Sequence, residues 1–292
     1  MAPFVRIGCQ GWAHPPWVGT FFTRDARRED FLPQYASVFG AAEGNATFYG
    51  LPSVETVKKW CAEAPADFRF CFKFPKLISH ELRLVGAEAA TRQFFERVAP
   101  LGERLGPFFL QVHQSFGQRE LPALEAYLRS LPKEFQYAAE VRHRDFFDEA
   151  AGERTVNDLL GTLGVERVSF DTHGLFASPA RDEATMAARQ RKPRTPVRFT
   201  ALGQRPFLRF VGDPVVERNT ALLAEWADHV ARWIGEGRTP WFFAHHPDDL
   251  HAPAIGRIFQ QMLHERCPQV PAPPVWPVEK ESVDRGEQLG LF

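Results

Sequence analysis

The sequence predicts an α/β fold of the TIM-type (β/α)8-barrel class, as a single domain with an extended C-terminal tail. Eight short apolar runs alternate with amphipathic helical patterns at a fairly even spacing. Such alternation is typical of parallel strands joined by helices, and eight units match this barrel. An open doubly wound sheet is the alternative. The turn after the first strand, Gly8 to Trp12, lacks the GxGxxG pattern that binds a dinucleotide, so no nucleotide cofactor motif is present.

The predicted strands follow one another along the chain with helical patterns between most of them. They span Phe4–Cys9, Ala41–Thr47, Phe68–Phe74, Phe108–His113, Tyr137–Arg142, Arg167–Asp171, Phe207–Val211 and Trp241–His245. The helical patterns place an apolar residue every three or four positions, as in Leu121, Leu124 and Leu128, which indicates packing against the sheet. Ser53 is the predicted N-cap of one such helix.

Two segments depart from this pattern. The interval 180–205 is too long and too polar for a tight crossover, and a loop or short helix over one barrel face fits it best. After about residue 265 proline becomes frequent. We therefore assign residues 1–265 to the barrel and residues 266–292 to a Pro-rich tail.

The overall charge is nearly neutral but unevenly distributed. The chain carries 35 Lys and Arg against 36 Asp and Glu, whereas residues 181–209 carry eight against two. Neutrality therefore does not exclude a polyanion as partner. Scattered cysteines, the lack of a signal pattern and the lack of a long apolar run predict a cytoplasmic protein without a membrane partner.

The third strand carries the clearest alternation. Its four phenylalanines, at 68, 70, 72 and 74, suit the side that faces the helices, which turns Arg69, Cys71 and Lys73 into the barrel. Lys73 then lies near the C-terminal mouth, where barrels of this class carry their chemistry.

Other strands also deliver polar groups to their C-terminal ends, which predicts a ligand or catalytic site at the mouth. The predicted catalytic residues are Lys73, Glu140, His143 and Asp171, and further acids and cations there are Glu43, Arg142 and Arg209. Cations fixed beside ionised carboxylates suit a phosphate, carboxylate or sugar-phosphate ligand. The alternative is a set of internal salt bridges, such as Glu140 with Arg142 or Lys73.

Histidines after the strands raise the question of a divalent metal such as zinc or manganese. His113, His245 and His246 are the candidate ligands, but no HExxH pattern or tight spacing supports them, so no metal site is assigned. Aromatic residues after the first two strands, Trp12 and Tyr49 among them, could stack on a base or sugar or could form a packed lid.

These residues resemble the domain of unknown function 72 family, also called YecE-like. The supporting segments are Ile7–Trp12 with Trp17 and Phe21, Glu43–Tyr49, Phe70–Pro75 with His80, Glu140–His143, and His251–Pro253. The match runs in order over about residues 4–265. It implies a TIM-like barrel similar to the sugar-isomerase and endonuclease IV superfamily, and it does not imply an assigned reaction.

Residue by residue, the resemblance marks a set of positions that belong to the family pattern. They are Glu43, Asn45, Thr47, Tyr49, Lys73, Glu140, Arg142, His143, Asp171 and His251. This chain departs from the pattern at His245-His246, where paired asparagines are frequent, and at His113-Gln114, where a Pro-containing run is usual. Both departures touch the mouth and add histidines there.

The last five residues resemble the pentapeptide with which bacterial replication and repair proteins bind the sliding clamp. Gln288 would make the polar contact, and Leu289, Leu291 and Phe292 would fill apolar pockets. The alternative is an apolar chain end with no partner.

Three functional hypotheses follow. The first is a protein that acts on DNA or a phosphorylated ligand in replication or repair, which rests on the endonuclease IV-like barrel, the clamp-like tail and the basic interval. The second is a sugar or sugar-phosphate isomerase or lyase, in which the same groups move a proton beside a carbonyl. The third is a noncatalytic adaptor. Phosphoester hydrolysis and isomerase-like chemistry are thus the enzyme classes left open.

Overall fold

The computed structural model describes residues 4–284, in which short parallel strands alternate with helices. The strands are β1 (Arg6–Cys9), β2 (Ala41–Gly44), β3 (Arg69–Phe72), β4 (Phe108–Gln111), β5 (Tyr137–Glu140), β6 (Glu166–Asp171), β7 (Phe207–Val211) and β8 (Trp241–His245). The helices are α1 (Phe31–Ala36), α2 (Val54–Glu63), α3 (Glu88–Val98), α4 (Leu121–Ser130), α5 (Ala151–Thr162), α6 (His173–Ala177), α7 (Glu183–Arg191), α8 (Thr220–Gly235), α9 (Ala252–Arg266) and α10 (Pro277–Asp284). Among these residues, a helix with both the length and the apolar character needed to span a bilayer is not found.

The prediction of a closed (β/α)8 barrel is wrong, because the strands form two separate sheets. A curled, open six-stranded parallel sheet has the order β1-β8-β7-β6-β5-β4, and β2 and β3 form a two-stranded parallel sheet. Isolated bridges, rather than continuous ladders, connect the two. They pair Gln10 with Glu43 on one side, and Phe70 with Leu105 and Lys73 with Phe109 on the other.

A buried tyrosine interrupts the ladder between β1 and β2. The Tyr35 hydroxyl accepts a hydrogen bond from the Cys9 N–H at 2.6 Å and donates one to the Ala41 carbonyl at 3.0 Å. It thus stands where a backbone bond would join the two strands. The two strands also approach each other closely at Gly8, since a Cβ atom there would lie 2.0 Å from the Ala41 oxygen. At this seam between β1 and β2, the backbone groups of Cys9 and Ala41 are therefore hydrogen-bonded, although to a side chain and not to each other.

An extra residue interrupts the ladder between β3 and β4. The two bridges there are three residues apart on the β3 side, from Phe70 to Lys73, but four apart on the other side, from Leu105 to Phe109. Such a two-against-one mismatch is a bulge, which breaks regular pairing. Pro107 lies within it and has no N–H to donate. Neither interruption has a signature in the alternation of apolar residues, which is why the pattern predicted closure.

Two apolar layers pack on opposite faces of the strands. Phe70 and Phe72 of β3 lie in the large layer between strands and helices, whereas Cys71 lies in the inner layer. The alternation predicted for this strand is therefore present. On β6, however, Val168 and Phe170 belong to the inner layer.

The polar interval after β6 lies over the C-terminal ends of the strands. Asp182 caps α7 by accepting from the Thr185 N–H at 2.9 Å. The chain that follows is held down by Thr172, whose hydroxyl donates to the Pro193 carbonyl at 3.0 Å. This course carries Lys192, the residue after α7, to the mouth of the strands.

Residues beyond α9 also pack on the domain. Val270 is buried. The Trp276 ring meets Phe21 edge to face, with 5.3 Å between ring centroids. Arg257 of α9 pairs with Glu279 of α10 at 2.5 Å. The clamp-like residues Gln288, Leu289, Leu291 and Phe292 lie outside the described residues.

We predict that Tyr35→Phe lowers the free energy of unfolding by about 1–3 kcal/mol, because it leaves the Cys9 N–H and the Ala41 carbonyl buried without partners. Urea unfolding at pH 7 measures this change. Tyr127→Phe is the matched control, since within the described structure the Tyr127 hydroxyl bonds a single side chain, the Thr91 hydroxyl, and joins no two strands. Equal losses in the two variants would contradict a special role for the seam.

Candidate functional site

Arg209 lies between two buried carboxylates at the C-terminal ends of the strands. Its Nε and Nη2 donate to the two oxygens of Glu43 at 2.8 and 2.7 Å. Its Nη1 donates to Glu140 Oε2. Both glutamates are completely buried. One guanidinium from β7 thus joins β2 of the small sheet to β5 of the large one, with charge-assisted bonds on three of its nitrogens.

A second set of polar groups lies beside this ion pair. Arg142 Nε donates to the other oxygen of Glu140 at 2.5 Å, so the salt bridge offered as the alternative reading of these residues does form. Arg142 Nη2 and Lys73 Nζ both donate to Gln111 Oε1, each at 2.8 Å. Lys73 Nζ also lies 3.9 Å from the centroid of the Phe48 ring.

The carboxylates are fully engaged, and Lys73 has none as a partner. Glu43 is held by Arg209, by Asn45 Nδ2 at 2.6 Å and by His245 Nε2 at 3.1 Å. Among the described residues, Lys73 forms no ion pair with a carboxylate. The lysine is nevertheless only 9% exposed. Its amine is therefore buried next to cations without a counter-charge of its own.

A cavity of about 470 Å³ opens above these groups. Six Lys and Arg side chains line it, against the single carboxylate of Asp249 among the described lining residues. The cations are Lys73, Lys76, Arg142, Arg191, Lys192 and Arg209. Glu43 and Glu140 lie beneath the cavity and already neutralise Arg209 and Arg142. Lys73, Arg191 and Lys192 remain against Asp249, whereas Lys76 pairs with Glu81, so the accessible surface carries an excess of positive charge.

The ion pairs keep both glutamates charged. Burial by itself would raise the pKa of Glu140, but Arg142 and Arg209 outweigh burial and lower this pKa to about 2. Burial opposes ionisation of Glu43 in the same way, and Arg209 and His245 hold its pKa well below the usual range. Neither carboxylate is available as a base near neutral pH, because each is committed to a guanidinium.

Lys73 differs from them in that its surroundings favour the uncharged form. Burial, followed by the nearby charges of Arg209 and Arg142, lowers the pKa of Lys73 to about 7, although Glu140 and Glu43 oppose this. Burial also lowers the pKa of Lys192 to about 8. A neutral amine near pH 7 can accept a proton or attack an electrophile.

Two buried acceptor atoms at this site lack a hydrogen-bond partner in the described structure. They are Asn45 Oδ1 and His245 Nδ1. Asn45 also lines the cavity. A buried acceptor without a donor costs free energy, so such an atom indicates a place for a donor from water or a ligand.

Most of the predicted site residues come together at this mouth. Lys73, Glu140, Glu43, Asn45, Arg142 and Arg209 form the network described above. Thr47 donates to the Lys73 carbonyl at 2.6 Å and thus positions the lysine backbone. Tyr49 lies at the rim, where its side chain is 84% exposed.

Four predicted residues are not part of this network. Asp171 turns toward the helices, where it accepts from the Trp226 indole N–H at 2.7 Å and from the His173 N–H at 2.8 Å. Trp12 is buried against Trp60 and Phe70.

His143 and His251 also lie outside the cavity lining. His143 Nδ1 lies 3.2 Å from Asp145, and the exposed His251 contacts the His246 ring.

The candidate metal ligands have separate partners. His245 bonds Glu43, His113 bonds the Ser115 hydroxyl at 2.8 Å, and His246 bonds Asp248 at 2.5 Å. Within residues 4–284, three or more His, Cys, Asp or Glu side chains are not grouped so as to hold one metal ion. The sequence raised a divalent metal as a question without assigning a site, and these contacts do not test it.

Several lining residues were missed by the sequence reasoning. Gln111, Phe170, Lys192 and Asp249 all face the cavity, as does Phe48, one of the aromatic residues that the sequence offered for stacking. Gln111 lies near the C-terminal end of the predicted strand Phe108–His113, and Lys192 lies in the basic interval, so both had a signal. Phe170 had none, because β6 is buried on both faces and alternation does not tell which face is inside.

A family model described as "Protein of unknown function DUF72" matches residues 6–280. The UPF0759 protein YecE of Escherichia coli K12 is 38% identical over 273 residues, which cover 94% of this chain and 97% of that protein. Its counterpart from Escherichia coli O157:H7 is 37% identical over the same coverage.

Crystal structures of two DUF72 family proteins have a similar fold. The protein from Thermotoga maritima MSB8 has a TM-score of 0.69 at 22% identity, with 89% of this chain and 99% of that chain covered. One from Enterococcus faecalis V583 has a TM-score of 0.69 at 18% identity, with 89% and 95% covered. At this level of identity the likeness concerns the fold alone.

We predict opposite pH dependence for the wild type and Arg209→Gln. In the wild type, Glu140 has a lowered pKa, so its stabilising contribution is present above about pH 4.5 and is lost as the pH falls toward 2. In Arg209→Gln, buried carboxylates without this guanidinium should have raised pKa values, so stability should increase as the pH falls from 7 to 5. At pH 7 we expect a loss of about 3–5 kcal/mol.

Urea unfolding at several pH values measures both effects. Arg129→Gln is the control, because Arg129 pairs with Glu125 on the surface and should contribute less than about 1 kcal/mol. A parallel pH profile for Arg209→Gln and the wild type would contradict the prediction.

Proposed function

The chain belongs to the DUF72 family, whose description assigns no reaction, and from the geometry of the mouth we propose that the protein binds a small phosphorylated ligand there and acts on it through Lys73. The observation that carries this proposal is the charge of the cavity. Six Lys and Arg side chains line it, of which Arg142 and Arg209 are paired with the two glutamates below it and Lys76 is paired with Glu81. Lys73, Arg191 and Lys192 are left against Asp249, so positive charge remains in excess.

Phosphate suits this surface better than a neutral ligand does. Arg142 presents a planar guanidinium, and Lys192 adds a point charge that has no ion-pair partner among the described residues. Such groups bind phosphate oxygens by charge-assisted bonds. A cavity of about 470 Å³ accommodates a small metabolite rather than a folded macromolecule.

Lys73 is the proposed reacting group. It is buried at the base of the cavity, uncharged in part near pH 7, and fixed by Gln111 and the Phe48 ring. It could take a proton from carbon beside a carbonyl, as in a sugar-phosphate isomerase or lyase, or it could react with the carbonyl itself.

A polynucleotide is the second candidate ligand, and the exposed rim favours it. The Tyr49 ring is 84% exposed beside the cavity, where it could stack on a base. Arg191 and Arg194 of the basic interval are also exposed and could bind successive phosphates. Clamp binding by residues 288–292 would be compatible with this function, and it stays a prediction of the sequence.

We predict that inorganic phosphate raises the melting temperature of the full chain. At pH 6 this rise should be larger in the wild type than in the Lys73→Met variant. Lys73, with a pKa of about 7, is charged at pH 6 and largely neutral at pH 8. Loss of this positive charge beside Arg142 and Lys192, which would hold the phosphate, should weaken binding by up to about tenfold at pH 6 and little at pH 8. Comparing the variant with the wild type at each pH cancels the titration of phosphate itself.

Differential scanning fluorimetry at constant ionic strength measures these shifts. Lys59→Met is the matched control, because Lys59 pairs with Glu63 on α2, away from the cavity. Lys192→Met should weaken phosphate binding at pH 6. The proposal fails if phosphate causes no more stabilisation than chloride at the same ionic strength.

For the second candidate we predict that short single-stranded and nicked DNA shifts in a gel at low salt and is released as salt rises. The double variant Arg191→Ala/Arg194→Ala should weaken binding and flatten the salt dependence. Arg129→Ala, on the surface of α4, should leave both unchanged. The absence of any shift at low salt would remove DNA as the ligand.

A further inference from the structure

Lys73 is placed as a nucleophile rather than as a simple cation. Its Nζ donates to Gln111 Oε1 at 2.8 Å and lies 3.9 Å from the Phe48 ring centroid, which fixes the amine at the cavity floor. A lysine that serves only to bind an anion needs no such burial. Burial without a carboxylate is instead the arrangement that yields a reactive amine.

The surrounding ion pairs explain why this amine stays unpaired. Glu43 gives both oxygens to Arg209, and Glu140 gives one to Arg209 and one to Arg142. The two guanidiniums thus occupy the carboxylates that would otherwise neutralise an ammonium group. Their remaining positive field acts against the charged form of the lysine.

We propose that the Nζ amine of Lys73 forms an imine with the carbonyl carbon of a phosphorylated aldehyde or ketone bound at this mouth, an inference that rests on the proposed function. Arg142 and Lys192 would hold the phosphate. The unpartnered acceptor Asn45 Oδ1, which lines the same cavity, would accept a hydrogen bond from a hydroxyl group of that compound. The substrate class is therefore a hydroxylated carbonyl phosphate.

The chemistry balances without an oxidant or reductant. The nitrogen lone pair attacks the carbonyl carbon, a C–N bond forms, and the carbonyl π pair moves to oxygen. One nitrogen proton is transferred to that oxygen by way of solvent. The carbinolamine oxygen then takes a second proton and leaves as water, while the nitrogen lone pair closes the C=N bond. Loss of the remaining nitrogen proton restores the proton taken up.

Reductive trapping tests the proposal on the wild-type full chain. The protein is incubated with dihydroxyacetone phosphate and sodium cyanoborohydride at pH 7.5, and the adduct is located by peptide mass spectrometry. At this pH an ordinary lysine is about 0.1% neutral, whereas Lys73 is more than half neutral. We expect modification of Lys73 to exceed that of the exposed lysines at least about tenfold, and to exceed that of Lys192, whose pKa is about 8, by a smaller factor.

Three controls accompany the experiment. Dihydroxyacetone, which lacks the phosphate, should label Lys73 less, and excess inorganic phosphate should protect it. Lys73→Arg should lose the adduct, whereas Lys59→Arg should keep it. Because the adduct is mapped on the wild type, the result does not depend on whether Lys73→Arg folds.

The outcomes separate this inference from the proposed function. Adducts on exposed lysines such as Lys58 and Lys133, with none on Lys73, would overturn the imine, even if phosphate still raises the melting temperature. An adduct on Lys73 that phosphate neither prevents nor weakens, together with no thermal shift, would overturn the phosphorylated substrate. Selective labelling that phosphate blocks supports both.

Discussion

The ion pair of Arg209 with Glu43 and Glu140 is the interaction on which the arrangement of the mouth depends. Continuous backbone pairing does not join the two sheets, because Tyr35 enters one seam and a bulge with Pro107 interrupts the other. Arg209 of β7 connects β2 in the small sheet with β5 in the large one. Side-chain ion pairs across the mouth therefore partly replace the backbone hydrogen bonds that would join the two sheets in a closed barrel.

The same ion pair determines which groups are left for chemistry. Burying two carboxylates without partners would cost a large desolvation free energy, and pairing them with two guanidiniums offsets this cost. Once they are paired, the glutamates stay ionised and hold Arg142 and Arg209 in fixed positions. Lys73 then changes its protonation near neutral pH, and Lys192 at the same mouth does so at slightly higher pH. A network that stabilises the fold thus also produces an uncommitted amine under a cationic cavity.

Family membership and fold agree with what the ordered motifs implied, but they do not identify a reaction. The motifs from Ile7 to Pro253 correctly indicated a member of the DUF72 family. The implied closed barrel was wrong, since strand positions and strand pairing are separate questions. Eight strands occupy the expected places, whereas their closure depends on single residues such as Tyr35 and on one extra residue before β4.

The sequence by itself determined where the strands lie, which side of β3 carries Lys73, and that acids and cations gather at one end of the strands. Local periodicity is enough for these features, because residues two apart in a strand share a face. Tertiary structure alone decided that Asp171 faces Trp226 and that Phe170 faces the cavity, since a strand buried on both sides does not reveal its inner face. It also brought Lys192 to the mouth and distributed the ion pairs, which depend on distances between residues far apart in the chain.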